Sequence, residues 1–129
     1  MMIILDSDVM IDVLRQYSPA ITWLETLGDE EIILPGFVVL ELLQGCNNNT
    51  DQGKMEKVLG AFEIVWPSAE TCDEALAVFA RYHLSHNIGL LDALIGQTAV
   101  ALDLSLHTFN RKHYAVIPNL VTTEPYNRT

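Results

Sequence analysis

The chain has 129 residues, enough for one domain with one core and too few for two. Half of its residues are hydrophobic, which excludes a disordered chain. Lys and Arg number 7 against 17 Asp and Glu, a formal net charge of −10, which speaks against a simple basic nucleic-acid binder.

Met2-Ile3-Ile4-Leu5 reads as a short buried strand, continuous in apolar residues and ended by a polar cluster. Ser7 to Leu14 reads as a helix. Ser18-Pro19 supplies an N-cap and a first-turn proline for a second, with Ile21, Leu24 and Leu27 on one stripe and Gly28 as its left-handed stop. Glu31 to Leu34 is a second strand, halted at Pro35-Gly36. Phe37 to Leu43 is helical, ending near Gly45. Asn47-Asn48-Asn49 reads as a loop, followed by a short helix over Asp51 to Gly60. Phe62 to Val65 is a third strand, stopped at Pro67. The longest helix starts at Ser68 or at Thr71, each of which can cap it, and ends at Asn87-Ile88-Gly89. Its His83 and His86 read as helix surface near a C-terminus rather than ligands. Leu91 to Leu102 forms the next helix. Leu104 to Thr108 is a fourth strand, and Asn119 to Val121 a short fifth.

Short apolar strands alternating with helices predict a parallel sheet covered on both faces. In such sheets, sites form at the carboxyl ends of the strands, where strand order switches. The residues following Leu5, Leu34, Val65 and Thr108 are therefore the ones to question.

The charge is uneven along the chain. Residues 1–74 hold 14 acids and 3 bases, whereas residues 75–129 hold 3 acids, 4 bases and all four histidines. A fold that joins the halves would set an acidic cluster against a mildly basic rim, a first hint of a cation site. Cys46 and Cys72 have neither metal-ligand spacing nor a disulfide framework. Two such thiols, behind an N-terminus without a basic leader, lead us to expect a cytoplasmic protein. No apolar run approaches the ~20 residues of a membrane helix.

Three carboxylates stand out. Asp6 follows the first strand directly, with Asp8 and Asp12 beyond it; helix capping is the ordinary explanation. Glu41 is harder to explain so. It lies in Phe37-Val38-Val39-Leu40-Glu41-Leu42-Leu43, and no Lys or Arg sits within a helical turn to pair with it. Asp92 falls in the first turn of an apolar helix, with Gly96 four residues on, a mid-helix glycine that serves close packing or ligand approach. Clustered, these acids would repel unless cations sat among them. Oxygen-only donors select hard ions, Mg²⁺ or Mn²⁺, which can activate water against a phosphodiester.

The motifs in order resemble a PIN domain, most closely the toxin ribonucleases of VapBC-type toxin–antitoxin modules. Ile4-Leu5-Asp6-Ser7 is similar to that family's hydrophobic–Asp–Ser/Thr opening. Glu41-Leu42-Leu43-Gln44-Gly45 resembles its Glu-Leu-x-x-Gly helix, and Asp92-Ala93-Leu94-Ile95 its Asp-Ala-x-Ile helix. Thr108-Phe109-Asn110 resembles its closing Thr-x-Asn/Asp segment. The resemblance covers nearly the whole chain. It implies a single PIN-like domain over 1–129, a three-layer α/β/α sandwich around a parallel sheet of four to five short strands. It also implies a Mg²⁺- or Mn²⁺-dependent endoribonuclease, acting on transfer or ribosomal RNA, that forms a homodimer and is restrained by a small antitoxin protein. Carried over, Asp6, Glu41 and Asp92 would be the catalytic metal ligands, and Thr108 a supporting residue. Asn110 stands where many relatives have Asp. It can hold a metal-bound water or a phosphate oxygen but supplies no charge for a second ion, a lack that Asp8 offsets in part.

Arg111, Lys112 and His113 follow Asn110 and are the expected RNA contacts, although an ordinary exposed turn explains them almost as well. An acidic pocket also suits a cationic side chain of the antitoxin. Ile21, Trp23 and Leu24 would form part of its groove, unless they are simply core. Two other function classes fit part of the pattern. A non-catalytic PIN-like binding module would accommodate Asn110 but not the retained acids. A haloacid-dehalogenase-type phosphatase would use Asp6 and Asp8 but needs a Lys and a later acidic pair at the same sheet. A receiver domain would need an Asp ending the third strand, where Val65 runs into Trp66.

Overall fold

A computed structural model describes residues 1–128. In chain order the elements are β1 (Met2–Leu5), α1 (Ser7–Leu14), α2 (Ser18–Thr26), β2 (Glu31–Pro35), α3 (Gly36–Gln44), α4 (Asn49–Leu59), β3 (Glu63–Val65), α5 (Ala69–His86), α6 (Leu90–Leu102), β4 (Leu106–His107), α7 (Arg111–Tyr114) and β5 (Thr122–Thr123). The expected α/β architecture is present: a five-stranded sheet in the order β3-β2-β1-β4-β5, with every pairing parallel and helices flanking it.

The most apolar strand is central. Ile3, Ile4 and Leu5 of β1 are buried, and Ile4 is in register with Ile33 of β2 and Leu106 of β4, both also buried. Val9, Met10, Val38 and Ile95 bring α1, α3 and α6 onto this seam. Each such side chain contributes about 1.5–3 kcal/mol by leaving water, so β1 is an unyielding base for whatever follows it. Strand order reverses at β1: β2 and β3 are added on one side, β4 and β5 on the other. The carboxyl end of β1 is thus the switch point, and Asp6 occupies it, its N–H donating to the His107 carbonyl at 3.0 Å.

Several boundaries differ from the sequence reading, each for a local reason. The helix after the Asn loop starts two residues earlier than expected, at Asn49, because Asn48 caps it, its Oδ1 accepting from the Asp51 N–H at 2.9 Å. Ser18 is inside α2, Tyr17 holds the N-cap position, and Pro19 occupies the first turn. Ser68 caps α5, accepting from the Thr71 N–H at 3.1 Å, while Thr71 is buried in the helix. The fifth strand starts three residues later than expected because Asn119 adopts φ +67°, which no strand residue does. The single turn α7 was not foreseen. Gly28 does take the left-handed conformation, φ +59°, behind α2. Gly96 serves close packing: a Cβ there would collide with Ile117, and would press on Leu120 at 3.2 Å. The residues after α7 thereby lie flat on α6.

Candidate active site

Four carboxylates from three separated segments line one cavity of about 260 Å³, together with Asn110 and Arg128. Asp6 and Asp8 come from the β1–α1 junction, Glu41 from α3 and Asp92 from the first turn of α6. The fold therefore brings Asp6, Glu41 and Asp92 together, as the sequence suggested, and adds Asp8 and Asn110 to the same wall.

Each acid is held by local chemistry. Asp6 caps α1, its Oδ1 accepting from the Ser7 N–H at 2.8 Å. Its Oδ2 accepts from the Thr108 hydroxyl at 2.8 Å, a buried bond across more than a hundred residues. Asp8 Oδ2 accepts from the Phe109 N–H at 2.9 Å, and its Oδ1 from the Val9 N–H at 2.8 Å. Asp92 Oδ2 accepts from the Gly89 N–H at 3.2 Å, fixing its rotamer while leaving Oδ1 without a donor among the described residues. Capping and cavity lining are thus compatible: the capping oxygen orients the side chain and the carboxylate still faces its neighbours.

The electrostatics are those of uncompensated negative charge. Burial, then the charge of Asp8, push the Asp6 carboxyl up to about 7, although the Thr108 hydroxyl and the Ser7 N–H oppose this. Burial also raises Asp8, against hydrogen bonds from Phe109 and Val9. Glu41 is raised by burial and by Asp92, with the Ser7 hydroxyl pulling the other way. Beneath the cluster lies the buried Tyr114 hydroxyl, close enough to Asp6 to favour its ionised form but without a well-formed hydrogen bond. Burial and the charges of Asp6, Asp92 and Glu41 push its own titration far upward, so it remains a neutral O–H.

Among the described residues no three acidic, histidine or cysteine side chains close into a metal cage. The donor set nevertheless fits a hard divalent ion. Mg²⁺ keeps several waters and is held by one or two carboxylates plus phosphate oxygens, not by an all-protein cage. An open, repelling ring of carboxylates is the matching arrangement.

The anticipated basic rim is only partly at the site. His113 Nδ1 lies 3.0 Å from the Asn110 amide nitrogen and 3.9 Å from Asp92 Oδ2, so this ring reaches the edge of the acids. Arg111 instead donates through Nε to Thr122 Oγ1 at 3.1 Å, and Lys112 is exposed. The basic residue that lines the cavity is Arg128, which sequence reasoning missed. No local motif marks it: Asp12 already has Arg15 three residues on, whose charge also lowers its pKa, so the sequence gives no sign of a distant partner. Nor does Trp23 belong to a free groove. Its ring packs on His107 at 5.7 Å and on Tyr126 at 5.9 Å, the core-packing alternative.

A parallel sheet in this order, with carboxylates from β1, α3 and α6 gathered at the switch point, defines the class. The chain belongs to the PIN domain family, whose model matches residues 3–117. Within it, the chain is similar to Ribonuclease VapC10 of Mycobacterium tuberculosis, at 32% identity over 120 residues, covering 92% of this chain and 90% of that protein. Solved structures share the fold, two of them at 25% identity. One is VapBC2 from Rickettsia felis bound to a promoter DNA fragment (TM-score 0.77, 25% identity, 95% of this chain and 98% of that one). The other is a toxin–antitoxin complex from Klebsiella pneumoniae (TM-score 0.75, 25% identity, 98% and 99%). No helix among the described residues is long and apolar enough to cross a membrane.

Proposed function

We propose that the chain is a Mg²⁺- or Mn²⁺-dependent endoribonuclease and the toxin of a VapBC-type module. The observation that carries this reading is the cavity itself: Asp6, Asp8, Glu41 and Asp92 converge there, on a PIN fold, and no Lys or Arg among the described residues bonds any of their carboxylates. The 32% identity to a protein named as a ribonuclease supports RNA as substrate.

Asp6, Glu41 and Asp92 would hold the ion, with Asp8 and Asn110 positioned to orient its water. When bound, such an ion would supply positive charge to the cluster and Lewis acidity for activating water against a phosphodiester. The chain's own contribution is positioning. Thr108 locks one oxygen of Asp6, and the Phe109 N–H locks Asp8. The Gly89 N–H locks one oxygen of Asp92 and leaves the other without a donor among the described residues. Water, not the ribose 2′-hydroxyl, is the nucleophile, so the products are a 5′-phosphate and a 3′-hydroxyl.

The solved VapBC2 and Klebsiella structures support a small antitoxin as partner. We infer that its groove lies between α1, α3 and α4 rather than at Trp23. A cavity of about 370 Å³ there is lined by Ile11, Leu14, Leu42 and Met55 and shares Ser7 and Glu41 with the acidic cavity. An apolar segment seated in it would bring a following Arg or Lys to the acids. A homodimer is supported by exposed apolar side chains on α5 and α6, with Leu76 65%, Leu84 89% and Leu90 62% accessible.

The test is cleavage of total RNA, with ends mapped after brief incubation in Mg²⁺, in Mn²⁺ and in EDTA, beside Asp6→Asn. Cleavage leaving 2′,3′-cyclic ends, or undiminished in EDTA, would overturn the mechanism. Failure of the chain to slow host growth, or to co-purify with the product of an adjacent small reading frame, would overturn the toxin assignment alone.

A further inference from the structure

The acidic cavity poses a problem that its carboxylates cannot solve: an RNA strand must enter a ring of negative charge on a protein of net charge −10. Salt screens the distant charges within about 8 Å at physiological ionic strength. What decides is therefore a cation at the cavity mouth. Arg128 is the one basic side chain lining the cavity among the described residues.

Its geometry is that of a held guanidinium with donors to spare. Nε donates to Asp12 Oδ2 at 3.0 Å and Nη2 to Asp12 Oδ1 at 3.2 Å, a side-on fork. Nη2 also reaches the Asp8 carbonyl at 3.3 Å. The guanidinium carbon stands 4.3 Å from the Phe109 ring centroid, so an aromatic face fixes the plane. Asp12 is itself anchored by the Tyr126 hydroxyl at 2.8 Å. Nη1 has no partner among the described residues, and the side chain is 41% exposed. A residue serving only to neutralise Asp12 would be satisfied by a lysine. Here one edge of the fork is tied, one face is stacked, Nη1 is unoccupied among the described residues, and the side chain lines the cavity of the acids.

We propose that Arg128 is an RNA-contact residue: through Nη1 it binds a backbone phosphate of the strand entering the acidic cavity, with Asp12, Tyr126 and Phe109 as its mount. This assigns to residues 126–128 the phosphate contact that the sequence placed at Arg111 to His113. It rests on the ribonuclease reading above. The chemistry recognised is a phosphodiester, for which the planar guanidinium is suited and whose charge it partly offsets.

The experiment measures equilibrium binding of a fluorescein-labelled single-stranded RNA of mixed sequence across a KCl series in EDTA, and cleavage of the same RNA in Mg²⁺. Arg128→Gln should weaken binding about tenfold, reduce the slope of log affinity against log salt by about 0.7, and place its effect on KM rather than kcat. Arg128→Lys is the second variant. Its single ammonium remains with Asp12, so the fold is kept while KM should rise as in Arg128→Gln. The pair Arg111→Gln and Lys112→Gln should change KM less than either. A folded Arg128→Gln with unchanged salt slope and KM, or an Arg128→Lys with the wild-type KM, overturns the inference. If wild type binds and cleaves the RNA while both variants match it, only the Arg128 assignment falls. If wild type does neither, the ribonuclease reading falls and this inference with it.

Discussion

Asp6 caps α1 and Asp12 lies within it, and both are buried, yet their surroundings are opposite. Asp6 meets the charge of Asp8, and its carboxyl donors are a hydroxyl and a backbone N–H; burial and that charge raise it to about 7. Asp12 meets Arg128 through two charge-assisted bonds and the Tyr126 hydroxyl through a third. Burial disfavours its charge too, but the Arg128 and Tyr126 bonds outweigh that, and its pKa is lowered. One acid is completed by the chain and the other is left for something the chain does not contain. That difference, more than the presence of aspartates at a helix start, separates a functional site from a structural one.

The largest effect should come from the uncompensated end. Asp6→Asn and Glu41→Gln should each lower RNA cleavage by on the order of 10²–10³, as expected when a group stabilising developing charge is lost. Neither should lower the melting temperature in EDTA, because removing one of several repelling buried charges relieves the fold. A variant that loses activity by unfolding would put these acids in the class of Asp12 and break the comparison.

Metal addition sharpens it from the other side. Mg²⁺ should raise the stability of wild type by about 2.7 kcal/mol at a hundredfold excess over its dissociation constant, by mass action on the folded state. Thermal melts across a Mg²⁺ titration check this. Asp92→Asn should reduce the shift and Asp12→Asn should leave it intact. A wild-type melting temperature indifferent to Mg²⁺ and Mn²⁺ would favour a non-catalytic binding module.

The compensated end should respond in stability. Asp12→Asn breaks the Arg128 fork and costs about 1–2 kcal/mol, at the low end for charged hydrogen bonds because the guanidinium is 41% exposed. Chemical denaturation at neutral pH reads this directly. A wild-type midpoint would mean that residues 126–128 are not mounted by Asp12.

Most of the architecture was legible because β1 is continuous in apolar residues and the helices carry their own stops, as Gly28 and Asn87 do. The three main acids were legible for a related reason. Glu41 among six apolar residues has no solvent face to explain it, and the order of motifs fixed its companions. What sequence could not show was long-range pairing. Arg128 against Asp12 spans 116 residues, and no local pattern encodes it; Thr108 against Asp6 spans 102, and only the family resemblance set Thr108 near the first strand. The roles of Ser68 and Thr71 were ambiguous because both can cap; the bond from the Thr71 N–H to Ser68 Oγ decides between them.

The smallest effect, and the most specific to the paired acid, is in pH. Arg128 and Tyr126 hold Asp12 below its ordinary value of 3.8 in the folded chain. The unfolded chain therefore binds the proton more readily than the folded one as pH falls. The stability Asp12 contributes is fully present above about pH 4 and is lost as pH drops through its folded pKa. Arg128 stays protonated throughout, so only the carboxylate titrates. The difference in unfolding free energy between wild type and Asp12→Asn should accordingly be flat around neutrality and shrink below pH 4. Denaturation midpoints in EDTA at stepped pH measure it without interference from a bound ion. Tyr126→Phe removes one of the bonds that lower Asp12, so the loss should still begin near pH 4 but be smaller and complete at a higher pH. A difference between wild type and Asp12→Asn that stays constant down through acid pH would mean that the carboxylate charge contributes nothing, and that packing alone mounts Arg128.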